Sequence, residues 1–314
     1  MSKKNFINQT HIEGLLYDHS LELKVSGQQS KNPGTQYIAG VVEVATDNDC
    51  LNVVPVHFSY VTATTKSGKQ NATYNTLRNI IDGGYKTIMG EGKENATPIR
   101  IDSAIGLNEF YSNRDGEDTL VSVKRNEGGF VHIITDGISE DEKTRNTFKA
   151  DMVITNCRRI EADPERELPE KVIIKGAIFD FRKSLLPVEF TVLQENAMNY
   201  FEDLGVSNKE PVFTTVWGKQ ISQTVVRRYE EESAFGDNLV REVKSTRKDF
   251  VITGASKEPY TWDDEETITA EELAKAMQDR ELYLATLKKN AEEYRARQNA
   301  PAATPNINPG QFNF

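Results

Sequence analysis

Gly40 and Gly176 each fall in the middle of a run that otherwise alternates like a half-buried strand, YIAGVVEVA and KVIIKGAIFDF. A glycine inside a strand fits tight coiling at a barrel corner. Around each glycine the same order of patterns unfolds. In the first series LELKV, YIAGVVEVA and NVVPVHFSYVTATT alternate as strands, and Pro55 suggests an edge or a bulge. NATYNTLRNIIDGG then carries Tyr74, Leu77 and Ile81 at helical spacing and ends in glycines that suit a helix C-terminus. PIRIDSAIGLNEFY, TLVSVKR, GFVHIITDG and FKADMVITNCRRIEA return to strand patterns. In the second series KVIIKGAIFDF and LLPVEFTVLQ precede a short helix with Met198, Phe201 and Leu204 on one face. VFTTVWGKQISQTVVRRY and LVREVKSTRKDFVITGA follow as strands.

This repetition predicts a mainly β protein with minor α, built as two small barrels. Five-stranded barrels of the OB type are the simplest match, and a β-sandwich is the competing architecture. The expected units are residues 1–162, a polar DPERELPE linker at 163–170, a second barrel at 171–256, and an acidic linker at 257–268. A helix over 269–298 and a disordered tail over 299–314 complete the chain. Thr269 and Glu272 have capping-box spacing. Leu273, Met277, Leu284 and Leu287 form the helix's apolar stripe. The polar linker before it predicts a helix separable from the β-region. The tail is rich in Pro, Asn and Ala, without periodicity.

The formal charge is −10. A chain that acidic does not coat nucleic acid with a whole basic face, so any phosphate-binding surface must be a local groove. No run of about 18 apolar residues is present, so no membrane span is expected. MSKKNFINQTHIEG lacks the apolar stretch of a secretory signal. Cys50 and Cys157 make neither a disulfide framework nor a metal pattern, which favours an intracellular protein with reduced thiols. His11, His19, His57 and His132 show no metal-ligand spacing. There is no G-x-S-x-G elbow and no phosphate-binding G-x-x-x-x-G-K loop. The loop GEGKENATP lacks that spacing, and the acidic run Asp263 to Glu266 suits solvated linker charge. A non-enzymatic protein without metal or cofactor is expected.

What remains is an interleaving of aromatic and basic residues. Strict alternation puts Phe213, Thr215, Trp217 and Lys219 on one face of a strand, with Val212, Thr214 and Val216 on the other. The valine face is the natural core, which turns Trp217 and Lys219 toward a groove. Phe181, Arg182 and Lys183 follow one another directly. Arg228 lies further along the Trp217 strand. In the first series alternation sets His57, Ser59 and Val61 against Phe58, Tyr60 and Thr62, with Lys66 and Lys69 in the loop beyond. Exposed rings stack on bases, and nearby cations track phosphates. These nine residues, Trp217, Lys219, Phe181, Arg182, Lys183, Arg228, Tyr60, Lys66 and Lys69, are the candidate nucleic-acid contacts.

The two OB-like series, the VIIKGAIFDF and FTTVWGKQ strands and a tail ending in Phe314 resemble phage-encoded single-stranded-DNA-binding proteins. The resemblance covers the layout of residues 11–256. It implies strand protection during phage replication or recombination in the cytoplasm of a bacterial host. The expected partner is single-stranded DNA, with RNA undistinguished. Replication proteins would be recruited through the C-terminal tail, although NPGQFNF lacks the acidic tip of bacterial relatives. The alternatives are a β-rich phage structural or assembly protein, and an acidic mimic of DNA.

Overall fold

A computed structural model describes residues 6–114, 117–164, 168–231, 235, 239–262 and 267–299. Among them, eleven strands form one hydrogen-bonded sheet that closes on itself twice. The first closure uses β1 (Asn8–His19), β3 (Gln36–Ala45), β4 (Val53–Thr62), β5 (Pro98–Arg114) and β6 (Glu117–Ile133). β1 pairs with β3, β3 with β4, β6 with β5 and β5 with β1, all antiparallel, while β4 and β6 run parallel. Helix α1 (Ala72–Ile81) lies between the third and fourth strands of this barrel. A one-turn helix, α2 (Ile88–Glu91), follows it.

The second closure repeats the circuit with β7 (Asn146–Ile160), β8 (Lys171–Phe179), β9 (Leu185–Val192), β10 (Val212–Glu231) and β11 (Leu239–Ala255). Its parallel pair is β9 with β11, and helix α3 (Glu195–Asp203) takes the place of α1. Two five-stranded barrels of OB topology result. The strand β2 (Glu22–Val25) adds to β3 as an edge, and all four of its residues are exposed. Of the expected alternation there, only Leu21 reaches the core.

Gly40 and Gly176 occupy the second strand of their barrels. A Cβ on Gly40 would lie 2.3 Å from the Ser20 carbonyl oxygen, and one on Gly176 would lie 2.0 Å from that of Val153. Only glycine permits the second strand to coil this closely over the first. The first core contains Ile12, Leu16, Val42, Phe58 and Ile101, closed by Leu77 and Ile80 of α1. The second contains Phe148, Met152, Phe190, Val216 and Ile252, closed by Met198 and Phe201 of α3.

β1 and β7 also pair with each other, Asn8–Ile12 against Ala150–Asn146, so the barrels share a sheet. β7, expected in the first unit, is therefore the first strand of the second. Asp163 and Leu168 of the expected linker pair with each other between β7 and β8, inside the second barrel, and the connection between barrels runs through 134–145. Prolines and charges mark a barrel turn as readily as a linker. The seam is filled by amides: Asn126 Nδ2 donates to Gln220 Oε1 at 2.7 Å, and Asn146 Nδ2 donates to the Gln220 carbonyl at 2.5 Å.

Outside the second barrel Val153, Phe179, Phe213 and Ile268 form a further cluster, packed by Phe6, Trp262 and Leu273. Helix α4 (Ala270–Asn299) starts from this cluster. Its capping box is formed, with Thr269 N donating to Glu272 Oε2 at 3.2 Å and Glu272 N to Thr269 Oγ1 at 3.1 Å. The helix then lies along the β5–β6 hairpin, where Arg280 grips Glu109 with both terminal nitrogens and Arg295 reaches Asp118 at 2.6 Å. It is thus docked on both barrels rather than separable. Met277 is exposed, and Ala276 and Arg280 stand on the contact side instead. No helix among the described residues is long and apolar enough to cross a membrane. Most of the expected acidic linker charge, 263–266, and the tail from 300 onward lie outside the described residues.

Candidate nucleic-acid interface

At the seam β10, β7, β1, β5 and β6 lie side by side, and one row of residues crosses both barrels. Lys219 stands opposite Thr147, Thr147 opposite His11, His11 opposite Asp102, and Asp102 opposite Phe130. Directly opposed residues project from one face of a sheet. The next row holds Trp217, Lys149 and Gln9. Four strand spacings of about 4.8 Å set the outer strands ~19 Å apart. Together with Lys143 these residues line an open groove of about 690 Å³.

An exposed aromatic stands at each end of this platform, and each has a local cause. Both faces of β10 are buried from Phe213 to Val216, the Phe213 face beneath Trp262 and Tyr260. Beyond Val216 the cover ends. β11 bulges there, the register passing from Trp217 opposite Gly254 to Gly218 opposite Ile252. The indole lies against Gly254, where a Cβ would be 2.3 Å from its Nε1, and Trp217 is left 40% exposed. At the other end β6 bulges through Gly128 and Gly129, both at positive φ. Bulges re-aim side chains, and Phe130, next in the chain, is 69% exposed.

The acids of the platform are engaged. Asp102 Oδ1 meets His11 Nδ1 at 2.9 Å, and its Oδ2 meets Arg100 Nε at 3.1 Å. Glu13 Oε1 accepts from Ser139 N at 2.6 Å, and its Oε2 lies 3.3 Å from His11 Nε2. Lys143, Lys149 and Lys219, by contrast, make no ion pair among the described residues. Three ammonium groups thus face the groove of a chain whose overall charge is negative.

The nine candidates do not converge on one place. Trp217 and Lys219 share the platform. Phe181, Arg182 and Lys183 occupy the β8–β9 turn and line a separate cleft of about 670 Å³ against helix α4. Tyr60 is on the outside of the first barrel, its ring centroid 4.5 Å from that of Tyr37. Strict alternation fails there. Ile38 opposes Val61 and Gly40 opposes Phe58, so β4 carries an extra residue. Val61 and Phe58 both pack on the core, and Ser59 and Tyr60 both face out. Lys66 and Lys69 are exposed in the loop leading into α1. Thr73 of that helix donates to the Gly129 carbonyl at 3.4 Å, which brings the loop toward the Phe130 end of the platform. Arg228 stands opposite Glu242 on the β10–β11 hairpin, and its side chain lies outside the described residues.

Phe130, Lys143, Lys149 and His11 were not singled out from sequence. The run Gly128-Gly129-Phe130 carried the one available signal, a glycine bulge beside an aromatic. A further lysine is excluded from the platform. Lys124 of β6 donates to the Glu189 carbonyl of the second barrel, and its Nζ lies 4.8 and 4.7 Å from the ring centroids of Phe190 and Phe250. Burial pushes its pKa down to about 8, against the opposing pull of Asp249 and Glu189. Among the described residues no cluster of three His, Cys, Asp or Glu could hold a metal ion. The platform offers flat aromatic faces and fixed positive charge, which suit stacking and phosphate neutralisation.

The model of one protein family, YorF, matches residues 7–290. No curated protein shows a sequence match. Two solved structures of the single-stranded DNA binding protein from Thermus aquaticus are similar. The wild-type protein has 9% identity and a TM-score of 0.43, over 82% of this chain and 94% of that one. A deletion mutant has 8% identity and a TM-score of 0.43, over 81% and 95%.

Proposed function

The chain belongs to the YorF family, and we propose that it binds single-stranded DNA along the seam platform, as a binding protein and not an enzyme. The observation that carries this reading is the row from Lys219 to Phe130, with Trp217 and Lys149 beside it, running unbroken across both barrels. Unpaired bases present π-faces to aromatic side chains, whereas paired bases are already stacked. Trp217 and Phe130 take bases at the two ends, and Lys143, Lys149 and Lys219 take the phosphates between them. Lys66 and Lys69 extend the track beyond Phe130. The strand needs both barrels at once, because neither alone carries the row. RNA of the same length is the competing ligand, since every base offers a stacking face. A place in phage replication or recombination follows from the resemblance of the sequence. Partner recruitment by the tail falls on residues outside those described.

Fluorescence anisotropy with labelled oligo-dT tests the reading. Trp217→Ala and Phe130→Ala should each weaken binding by about 1–3 kcal/mol. Both side chains are exposed, so the melting temperature should hardly move. Retention of full affinity by both variants overturns the platform. Absence of strand binding by the wild-type protein overturns the function.

A further inference from the structure

The cleft between the β8–β9 turn and helix α4 shares no lining residue with the platform groove. Phe181 stands on that turn almost fully exposed, at 89%. The Arg182 guanidinium lies over its ring, 5.0 Å from the centroid. On the helix side Arg280 lies 5.5 Å from the centroid of Tyr283. The cleft therefore carries two aromatic rings, each with its own guanidinium. Burying neither Phe181 nor Arg182 serves the fold, and among the described residues no ion pair engages Arg182.

The carboxylates around the cleft are largely taken. Asp180 Oδ1 accepts from the backbone N–H of Arg182 at 2.8 Å and of Ser184 at 2.7 Å, which fixes the turn. Glu109 is gripped by Arg280, and Glu127 lies 3.0 Å from Arg125. Asp279 remains to balance Arg182. A ligand suited to this wall has a planar, polarisable body and a compact anion.

We propose that the cleft is a second binding site, for a single nucleotide: its base against Phe181 and Tyr283, and its 5′-phosphate on Arg182. A guanidinium matches phosphate oxygens in a two-pronged geometry that an ammonium lacks, so Arg182 is the anion-recognising residue. The inference deepens the strand-binding reading by ligand class while using none of the platform residues. A free mononucleotide and the terminal nucleotide of a strand present the same chemistry here.

The test is calorimetric titration of the full chain with thymidine 5′-monophosphate, thymidine and a long oligo-dT. The wild-type protein should bind the monophosphate, and bind thymidine at least tenfold more weakly. Phe181→Ala and Arg182→Ala should each weaken the monophosphate by at least tenfold, and Trp217→Ala should leave it unchanged. Arg182→Lys keeps the charge and should restore only part of the affinity. Failure of the monophosphate to bind, or equal binding by the Phe181 and Arg182 variants, overturns the site. Loss of oligo-dT binding in those variants, with a 5′-phosphorylated end required, assigns the site to strand ends; indifference of oligo-dT to them leaves it a free-nucleotide site. Absence of oligo-dT binding in the wild type sinks the platform reading alone, and the monophosphate titration still decides the cleft.

Discussion

Trp217 and Gly254 face each other across the β10–β11 register, and the indole occupies the space a Cβ of residue 254 would need. The ring is thereby propped on the Gly254 backbone. Gly254→Ala should displace the indole without touching any barrel core. The expected result is a several-fold loss of oligo-dT affinity with a stability change below about 1 kcal/mol. Anisotropy and thermal unfolding of the same preparation check it, and unchanged affinity would mean that the position of the ring does not matter.

Four residues earlier on the same strand the expectation reverses. Phe213 is buried between the second barrel and the segment carrying Tyr260 and Trp262. Phe213→Ala should destabilise the protein by about 3–5 kcal/mol. Urea unfolding measures this directly, and a loss under 1 kcal/mol would show that the outer cluster contributes little.

How far these roles could be read from the chain depends on the range of the interaction. Alternation and the mid-strand glycines are local signals, so both barrels and their inserted helices were legible. The seam was not, because it joins Asn8 to Ala150 and so depends on residues far apart in sequence. The extra residue in β4 leaves no mark in the hydrophobic pattern, and one such residue reverses the facing of Tyr60. For α4 the apolar stripe pointed to Met277, but the contact with β5 is the Arg280–Glu109 pair, which hydrophobic periodicity cannot reveal. Sequence groups Trp217 and Lys219 with Phe181 and Arg182 because each pair sets an aromatic ring beside a cation. Their separation into two grooves is a matter of topology alone.

The Arg280–Glu109 pair makes the helix integral to the fold. Its side chains are 12% and 2% exposed. Arg280→Ala would strand a buried carboxylate, and such a loss costs about 3–5 kcal/mol. Truncation after Ser256 should lower the melting temperature further, since it also removes Ile268 and Leu273 from the outer cluster. Scanning calorimetry of the two variants should rank them in that order; wild-type stability in the truncated chain would contradict the docking.

Lys124 sets a pH dependence. Its pKa is about 8 in the fold and about 10.5 when unfolded, so the unfolded chain binds the extra proton between those values. Stability contributed by this residue should therefore rise as pH increases from about 8 to 10.5 and stay flat below. The rise is bounded at about 3 kcal/mol. Lys124→Met should be at least as stable as wild type at pH 7 and should lose this component of the rise. Urea midpoints across that range check it, and a wild-type profile that falls in parallel with the variant's would refute the burial of the charge.

The most direct test of strand binding on the seam platform is the salt dependence of oligo-dT affinity for the wild type and for Lys143→Ala/Lys149→Ala/Lys219→Ala. Each single-strand phosphate contact contributes about 0.7 to the slope of log affinity against log salt. Removing three contacts should flatten the slope by about 2 and weaken binding equally for all sequences, with the melting temperature preserved. A triple variant with the wild-type slope would place the phosphates elsewhere and contradict the platform.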